Sequence, residues 1–233
     1  MTTFSIDDDE DLELPLAGEH PGGHPPAWAG ARPRAHYRPR PATLERAREI
    51  REIAARFITD HGLWRFSMLA LARHLQCLLP TLCYYYKKRE DLITDMVMRH
   101  IDGVRTRTSL AMDAVSDGNP AGELHAFAQE YLLAGIAERD FHRLTIGFAE
   151  LAGPREGQSF LTRRETLREI VERRLTLHAP SLAGKPETAR ALSHALIDAL
   201  NGAACWLEPY GIVKPAAYAG MIADWVLAEA ARA

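Results

Sequence analysis

The chain has 233 residues, 47% hydrophobic and 25% charged, enough apolar content to bury one large helical domain or two small ones. No stretch is long and apolar enough to read as a membrane span, and the acidic start, with Asp7, Asp8, Asp9, Glu10 and Asp11, is unlike a secretory signal. Cys77, Cys83 and Cys205 are odd in number and widely spaced, which fits neither a disulfide framework nor a zinc ligand set, so a reducing cytoplasm is the expected location.

The net charge of −3 hides an asymmetry. Residues 1–30 carry seven acids and no Lys or Arg, whereas residues 31–100 carry fourteen basic against seven acidic residues. A basic block in an acidic chain fits a segment that faces a polyanion, and it fits ordinary surface charge as well.

In chain order, residues 1–42 read as a disordered tail, acidic and then basic, because prolines and glycines from Pro15 to Pro41 leave no periodic apolar face. Its end, with Arg32, Arg34, Arg38 and Arg40, reads as a minor-groove arm or as a solvated linker. Helical patterning starts at Thr43, a candidate N-cap. Leu44, Ala47, Ile50, Ala54, Phe57 and Ile58 then recur at three- and four-residue steps until Gly62, which fits a left-handed stop. Ser67 is placed to cap a second, short helix with Met68, Leu71, Ala72 and Leu75 on its inner side. After a break at 76–78, a third short helix is predicted over 79–85, with Pro80 tolerated in its first turn. Glu90 and Asp91 open a fourth helix that should reach about Met112. Further helices are predicted near 120–138, 140–152, 158–178, 187–208 and 215–231, with loops at 116–120, 153–157, 179–186 and 209–215. Three short helices with a tight break between the second and third make a helix-turn-helix pattern.

Residues 66–92, FSMLALARHLQCLLPTLCYYYKKREDL, carry the specific signal. This segment resembles the helix-turn-helix of the TetR family of transcriptional regulators, with Ser67, Ala72, Leu75, Thr81, Leu82, Tyr84, Tyr85, Tyr86, Arg89, Glu90, Asp91 and Leu92 in register. The resemblance covers about 50 residues and implies an all-α fold. In it, a helix-turn-helix DNA-binding domain at 43–91 precedes a helical effector-binding and dimerisation domain at 92–233. It further implies a homodimer on double-stranded DNA of pseudo-palindromic sequence, a small-molecule effector, repression as the common mode, and no cofactor. Ser67, Leu79, Pro80, Thr81, Tyr84, Tyr85, Lys87 and Lys88 are then the DNA-contact candidates, and Leu75, Leu82, Tyr86 and Leu92 the core of the head. The acidic tail reads as a solvating segment or as a competitor for the basic head.

Three departures from the family pattern stand out: Gln76 where the turn usually has Gly, Leu78 where the recognition helix often has a Ser cap, and Cys83 for a usual Tyr. A positive φ at Gln76 and a missing cap at Leu78 would each cost about 1 kcal/mol. Leu79, Pro80 and Cys83 offer few hydrogen bonds to base edges. Two readings stay open: an operator recognised partly by shape, or a ligand- or protein-binding module whose DNA binding has weakened.

Phe127, Tyr131, His142, Phe148, Asn201 and Trp206 are the candidates for an effector pocket, each with ordinary core packing as its rival. Phe160 belongs with them as a weaker candidate. Ala191, Leu192, Ala195, Leu196, Ala199, Leu200 and Ala203, with Ala219, Ile222, Ala223, Val226 and Ala230, form stripes that suit either a dimer contact or packing within the chain. The histidines show no metal-ligand spacing, and no phosphate loop, nucleophile elbow or paired Cys motif is present, so neither a metal site nor catalysis is expected.

Overall fold

The computed structural model describes residues 41–115, 118–146, 148 and 152–233. The acidic tail, the basic arm and most of the boundary region at 1–42 lie outside the described residues, as do 149–151 of the helix expected at 140–152.

Helix α1 spans Pro41–His61, two residues earlier than expected, because a proline fits the first turn, where its missing N–H is no loss. Thr43 is therefore inside the helix and is not its cap. Ile50, Ala54, Ala55 and Ile58 form the buried face, while Leu44, expected on that face, is exposed near the helix start. Gly62 ends the helix at φ 84 and ψ 151, an extended glycine conformation and not the left-handed helical one expected. One 3-10 turn, Leu63–Arg65, then delivers Phe66 into the core at 1% exposure.

Helix α2, Met68–His74, starts where Ser67 Oγ accepts a hydrogen bond from the Ala70 N–H at 3.1 Å. It ends in a Schellman-type turn: Cys77 N–H reaches back to the Ala72 carbonyl at 3.0 Å, which places Gln76 at φ 52. Helix α3, Leu79–Tyr85, follows with Leu78 as an N-cap that makes no side-chain bond and Pro80 in the first turn. Leu82 and Tyr86 anchor it at 1% and 8% exposure; Leu75 is only half-buried.

Helix α4, Arg89–Asp113, opens with the Asp91 carboxylate accepting the Lys88 backbone N–H at 3.2 Å. Its inner face runs from Leu92 through Met96, Val97, His100, Ile101, Val104 and Thr108 to Met112, a three- and four-residue recurrence. Helix α5, Pro120–Ala137, is capped by Asn119, whose Oδ1 accepts from Ala121 N–H at 3.2 Å. Helix α6, Arg139–Thr145, follows it. Helix α7, Pro154–His178, begins four residues before the expected 158, again with a proline at its first position, so the expected loop at 153–157 is mostly its first turn. A 3-10 turn, Pro180–Gly184, occupies the expected loop at 179–186 and leads to helices α8, Pro186–Trp206, and α9, Pro215–Arg232.

The described residues fold as an all-α structure with α5 at its centre, packed on α4, α7, α8 and α9. Phe127, Ala128 and Leu132 are fully buried there. At Gly135 the helix backbone approaches α8 so closely that an added Cβ would lie 2.8 Å from the Ala204 Cβ. The alanine stripes divide by packing within the chain: Leu196, Leu200, Ala203, Ala219, Ala223, Val226 and Ala230 are buried in it, whereas Ala191 is exposed. No helix among the described residues is long and apolar enough to cross a membrane.

Candidate functional site

Two features could carry function. The first is the outer surface of α3. Thr81 and Tyr84 are exposed on it, with Leu78, Leu79 and Pro80 beside them and Lys87 and Lys88 just beyond. Tyr84 is 70% exposed. Tyr85 stands edge-on to Tyr84 with ring centroids 5.2 Å apart and leans on the core, so it offers less of its ring to a partner than Tyr84 does. Ser67 keeps an exposed hydroxyl, already occupied as the α2 cap.

Orientation of α3 rests on a polar tie beneath it. The Tyr86 hydroxyl donates to Asp95 Oδ2 at 2.8 Å, and Arg51 donates to both the Tyr86 oxygen, at 3.0 Å, and Asp95, at 3.2 Å. Arg99 holds the other Asp95 oxygen at 2.7 Å. Burial pushes the Tyr86 hydroxyl above its ordinary pKa, so it stays a donor. This tie joins α1, the end of α3 and α4, and three charged or polar partners shared over one carboxylate fix the angle at which α3 is presented. Arg89 adds a bond to the Phe66 carbonyl at 3.0 Å.

The second feature is a cavity of about 370 Å³ between α4, α5, α6, α7 and α8. Its buried wall is His100, Ile101, Val104, Tyr131, His142, Phe160 and Leu167; its exposed rim includes Ile146, Arg164, Asp198 and Gly202. Thr145 and Asn201 complete it. Such a volume, mostly apolar with a few converging polar groups, is what a small-molecule site requires.

Of the six residues expected in a pocket, Tyr131, His142 and Asn201 line this cavity. Phe127 does not; it lies behind Tyr131, ring centroids 5.6 Å apart. Phe148 packs edge-on to Phe160 from outside the wall, and Trp206 is 55% exposed against Tyr218. Phe160 does line it. His100, Thr145, Arg164 and Asp198 belong to the wall without having been singled out. The spacing of His100 on the inner face of α4 was visible, but its neighbours come from helices far away in sequence.

The polar groups of the wall are chained. Tyr131 donates its hydroxyl to Asn201 Oδ1 at 2.8 Å, and burial holds the Tyr131 pKa above its ordinary value. His100, 2% exposed on its side chain, bonds Glu138 Oε2 through Nδ1 at 2.8 Å and His142 Nδ1 through Nε2 at 3.2 Å. His142 is pushed down to about 4 by burial and then by the neighbouring His100, against a smaller upward pull from the Asn201 backbone. It is therefore neutral at pH 7. Its Nε2 is buried and makes no hydrogen bond among the described residues. The hydrogen bond from His100 holds the Glu138 carboxyl below its ordinary pKa, outweighing its partial burial.

Helix α6 lies at the cavity and against the helices that support α3. It carries His142 into the cavity wall and packs against α1 and α4. Arg139 and Arg143 fasten it to the far end of α8: Arg139 donates to the Ala204 carbonyl at 3.1 Å and to the Leu207 carbonyl, and Arg143 to the Cys205 carbonyl at 3.1 Å. These are free carbonyls of a helix C-terminus, where cationic side chains are favoured.

No protein-family model matches the sequence, and no curated protein matches it. Solved structures do match. A TetR-family transcriptional regulator from Bordetella parapertussis superposes with a TM-score of 0.72 at 20% identity, covering 78% of this chain and 93% of that one. The ketosteroid transcriptional regulator KstR2 of Mycobacterium tuberculosis gives 0.66 at 17% identity, over 79% and 94% of the two chains. AibR, solved in complex with isovaleryl coenzyme A and operator DNA, gives 0.64 at 18% identity, over 79% and 97%. Identities at this level speak for architecture, and on that ground this chain has the fold of the TetR-family transcriptional regulators.

Proposed function

We propose that the protein is a ligand-responsive transcriptional regulator, acting as a homodimer whose two α3 helices enter adjacent major grooves of a pseudo-palindromic operator. The observation that carries this reading is the pairing of an outward-facing α3, fixed by the Arg51–Tyr86–Asp95 tie to α1 and α4, with an internal cavity whose helix α6 packs against the same two helices. One solved structure of this fold holds both an acyl-coenzyme A and operator DNA, which supports the same division of labour here.

In this reading the domains divide as 43–91 and 92–233. Thr81, Tyr84 and Lys87 contact DNA, with Lys88 and the exposed N-terminal turn of α4 set against a phosphate. Tyr131, His142 and Asn201 contact the effector. Met221 and Trp225, half-exposed on the outer side of α9, fit a dimer contact with a second copy. An effector that binds better to a conformer with the wrong spacing of the two heads releases DNA by shifting the population, and repression is the expected mode. The protein is not an enzyme in this reading, takes no cofactor, and works in the cytoplasm.

A second reading, a module of this fold with weakened DNA binding, draws support from the turn itself. Gln76 takes a positive φ, α3 has no side-chain cap, and Leu78, Leu79 and Pro80 lead its exposed face. Selection of bound DNA from a random pool at low salt separates the two. The first expects an enriched palindrome, and Thr81→Ala and Tyr84→Ala each weakening binding about tenfold. An absence of enrichment would favour the second, and unaltered binding by both variants would overturn the contact assignment.

A further inference from the structure

The cavity wall contains a polar atom that the described residues leave unsatisfied. His142 is 2% exposed and its Nε2 makes no hydrogen bond among the described residues, whereas His100, Glu138, Tyr131 and Asn201 are joined in pairs. A buried polar atom without a partner costs free energy, so such an atom in a cavity wall marks a place for a ligand group. We propose that the cavity binds an uncharged small molecule through a hydroxyl or carbonyl oxygen seated on His142 Nε2, and that the proton on His100 decides whether that nitrogen donates or accepts. The proposal rests on reading the cavity as an effector site.

The relay follows from hydrogen-bond bookkeeping. The Glu138 carboxylate only accepts, so His100 Nδ1 must carry a hydrogen. When His100 is neutral, its Nε2 is bare and accepts from His142 Nδ1–H, which leaves His142 Nε2 as an acceptor. When His100 takes a second proton, its Nε2–H donates to His142 Nδ1, and neutral His142 must then carry its hydrogen on Nε2, as a donor. One proton at His100 thus reverses the character of an atom on the far ring, with no movement of either side chain. The low pKa of His142, about 4, keeps that ring neutral in both states.

An uncharged ligand follows from the surrounding charges. Arg164 from α7 and Asp198 from α8, one of each sign, stand at the exposed rim and not at the inner wall. Behind the dyad, Glu138 compensates His100, and Arg48, Arg51 and Glu52 of α1 and Arg99 of α4 line a groove on that side. The inner wall around His142 therefore offers a carboxylate no cation and an ammonium no anion, and either would be desolvated without compensation. Ile101, Val104, Phe160 and Leu167 give the rest of the molecule an apolar lining.

The test uses the full-length protein without DNA, so failure here leaves the DNA-binding reading intact, and a protein that binds no DNA can still pass. Benzyl alcohol, acetophenone, toluene, benzoate and benzylamine are titrated by calorimetry, and the imidazole nitrogens of ¹⁵N-histidine-labelled protein are followed by NMR, with His142→Gln to assign the resonance. Benzyl alcohol and acetophenone should bind about tenfold tighter than the other three and shift His142 Nε2. Acetophenone, which can only accept, should lose affinity as pH rises, while benzyl alcohol, which can donate or accept, should change little. Glu138→Gln removes the carboxylate that favours the charged dyad, so the acetophenone transition should move to lower pH. Tighter binding of either ion, a stationary His142 Nε2, a pH-independent acetophenone affinity, or no binding by any of the five would each overturn the proposal.

Discussion

Helix α3 turns its polar side chains outward and holds itself to the protein by Leu82 and Tyr86, whereas the cavity turns its polar side chains inward and satisfies most of them against one another. The α3 surface is thus a short helix on a small apolar anchor, and the cavity wall holds two hydrogen-bonded sets drawn from α4, α5, α6 and α8. This contrast says where each is vulnerable. A seven-residue helix has little stability of its own, so α3 stands or falls with its packing. The cavity wall has packing in excess, and its sensitivity lies in protonation.

The largest effect should come from the anchor. Leu82→Ala deletes a side chain with 1% exposure that anchors α3 to the core, and a cost of about 2–5 kcal/mol is expected. Urea denaturation of the variant against the parent measures it. A loss below about 1 kcal/mol would mean that α3 is held mainly by the Arg51–Tyr86–Asp95 tie, and the contrast with the cavity would blur.

The next effect belongs to the cavity and to pH. His142 titrates at about 4 in the folded chain against 6.5 when unperturbed. Its depressed pKa means that the unfolded state takes up the proton first as pH falls. The associated stability is therefore present above pH 6.5 and lost progressively toward pH 4, on the order of 3 kcal/mol over the window. Unfolding free energies measured between pH 7 and pH 4 should show this slope in the parent, and a shallower one in His142→Gln. Equal slopes in the two proteins would place the acid sensitivity elsewhere.

The same contrast explains what was legible in the sequence. The turn and α3 are local objects: Ser67 as a cap, Pro80 in a first turn, and Leu82 and Tyr86 as core all follow from spacing within one short segment. The cavity's decisive pairs, His100 with His142 and Tyr131 with Asn201, lie 42 and 70 residues apart. Tyr131, His142 and Asn201 were singled out as semi-polar residues on apolar faces, but that criterion applies equally to Trp206, which ends on the surface. His100 was passed over because a lone histidine on an apolar face is ordinary until its partner is known. Helices α1 and α7 start at Pro41 and Pro154, two and four residues ahead of the expected starts, because the first turn is where proline fits best.

The smallest expected effects sharpen the contrast at the turn. Gln76 sits at φ 52, where glycine carries no Cβ penalty, and Leu78 caps α3 with a side chain that makes no hydrogen bond. Gln76→Gly and Leu78→Ser should each stabilise the protein by about 1 kcal/mol, the first by relieving the left-handed strain and the second by giving a backbone N–H of the first turn an acceptor. Thermal unfolding of the single and double variants measures both, and coupling is possible because the two residues share one turn. If the gains appear and DNA binding strengthens with them, the departures only loosen a functional reading head. If stability rises while DNA affinity stays where it was, the turn limits folding alone, and weak base readout must be sought in Leu79, Pro80 and Cys83, whose side chains offer a major groove little to pair with.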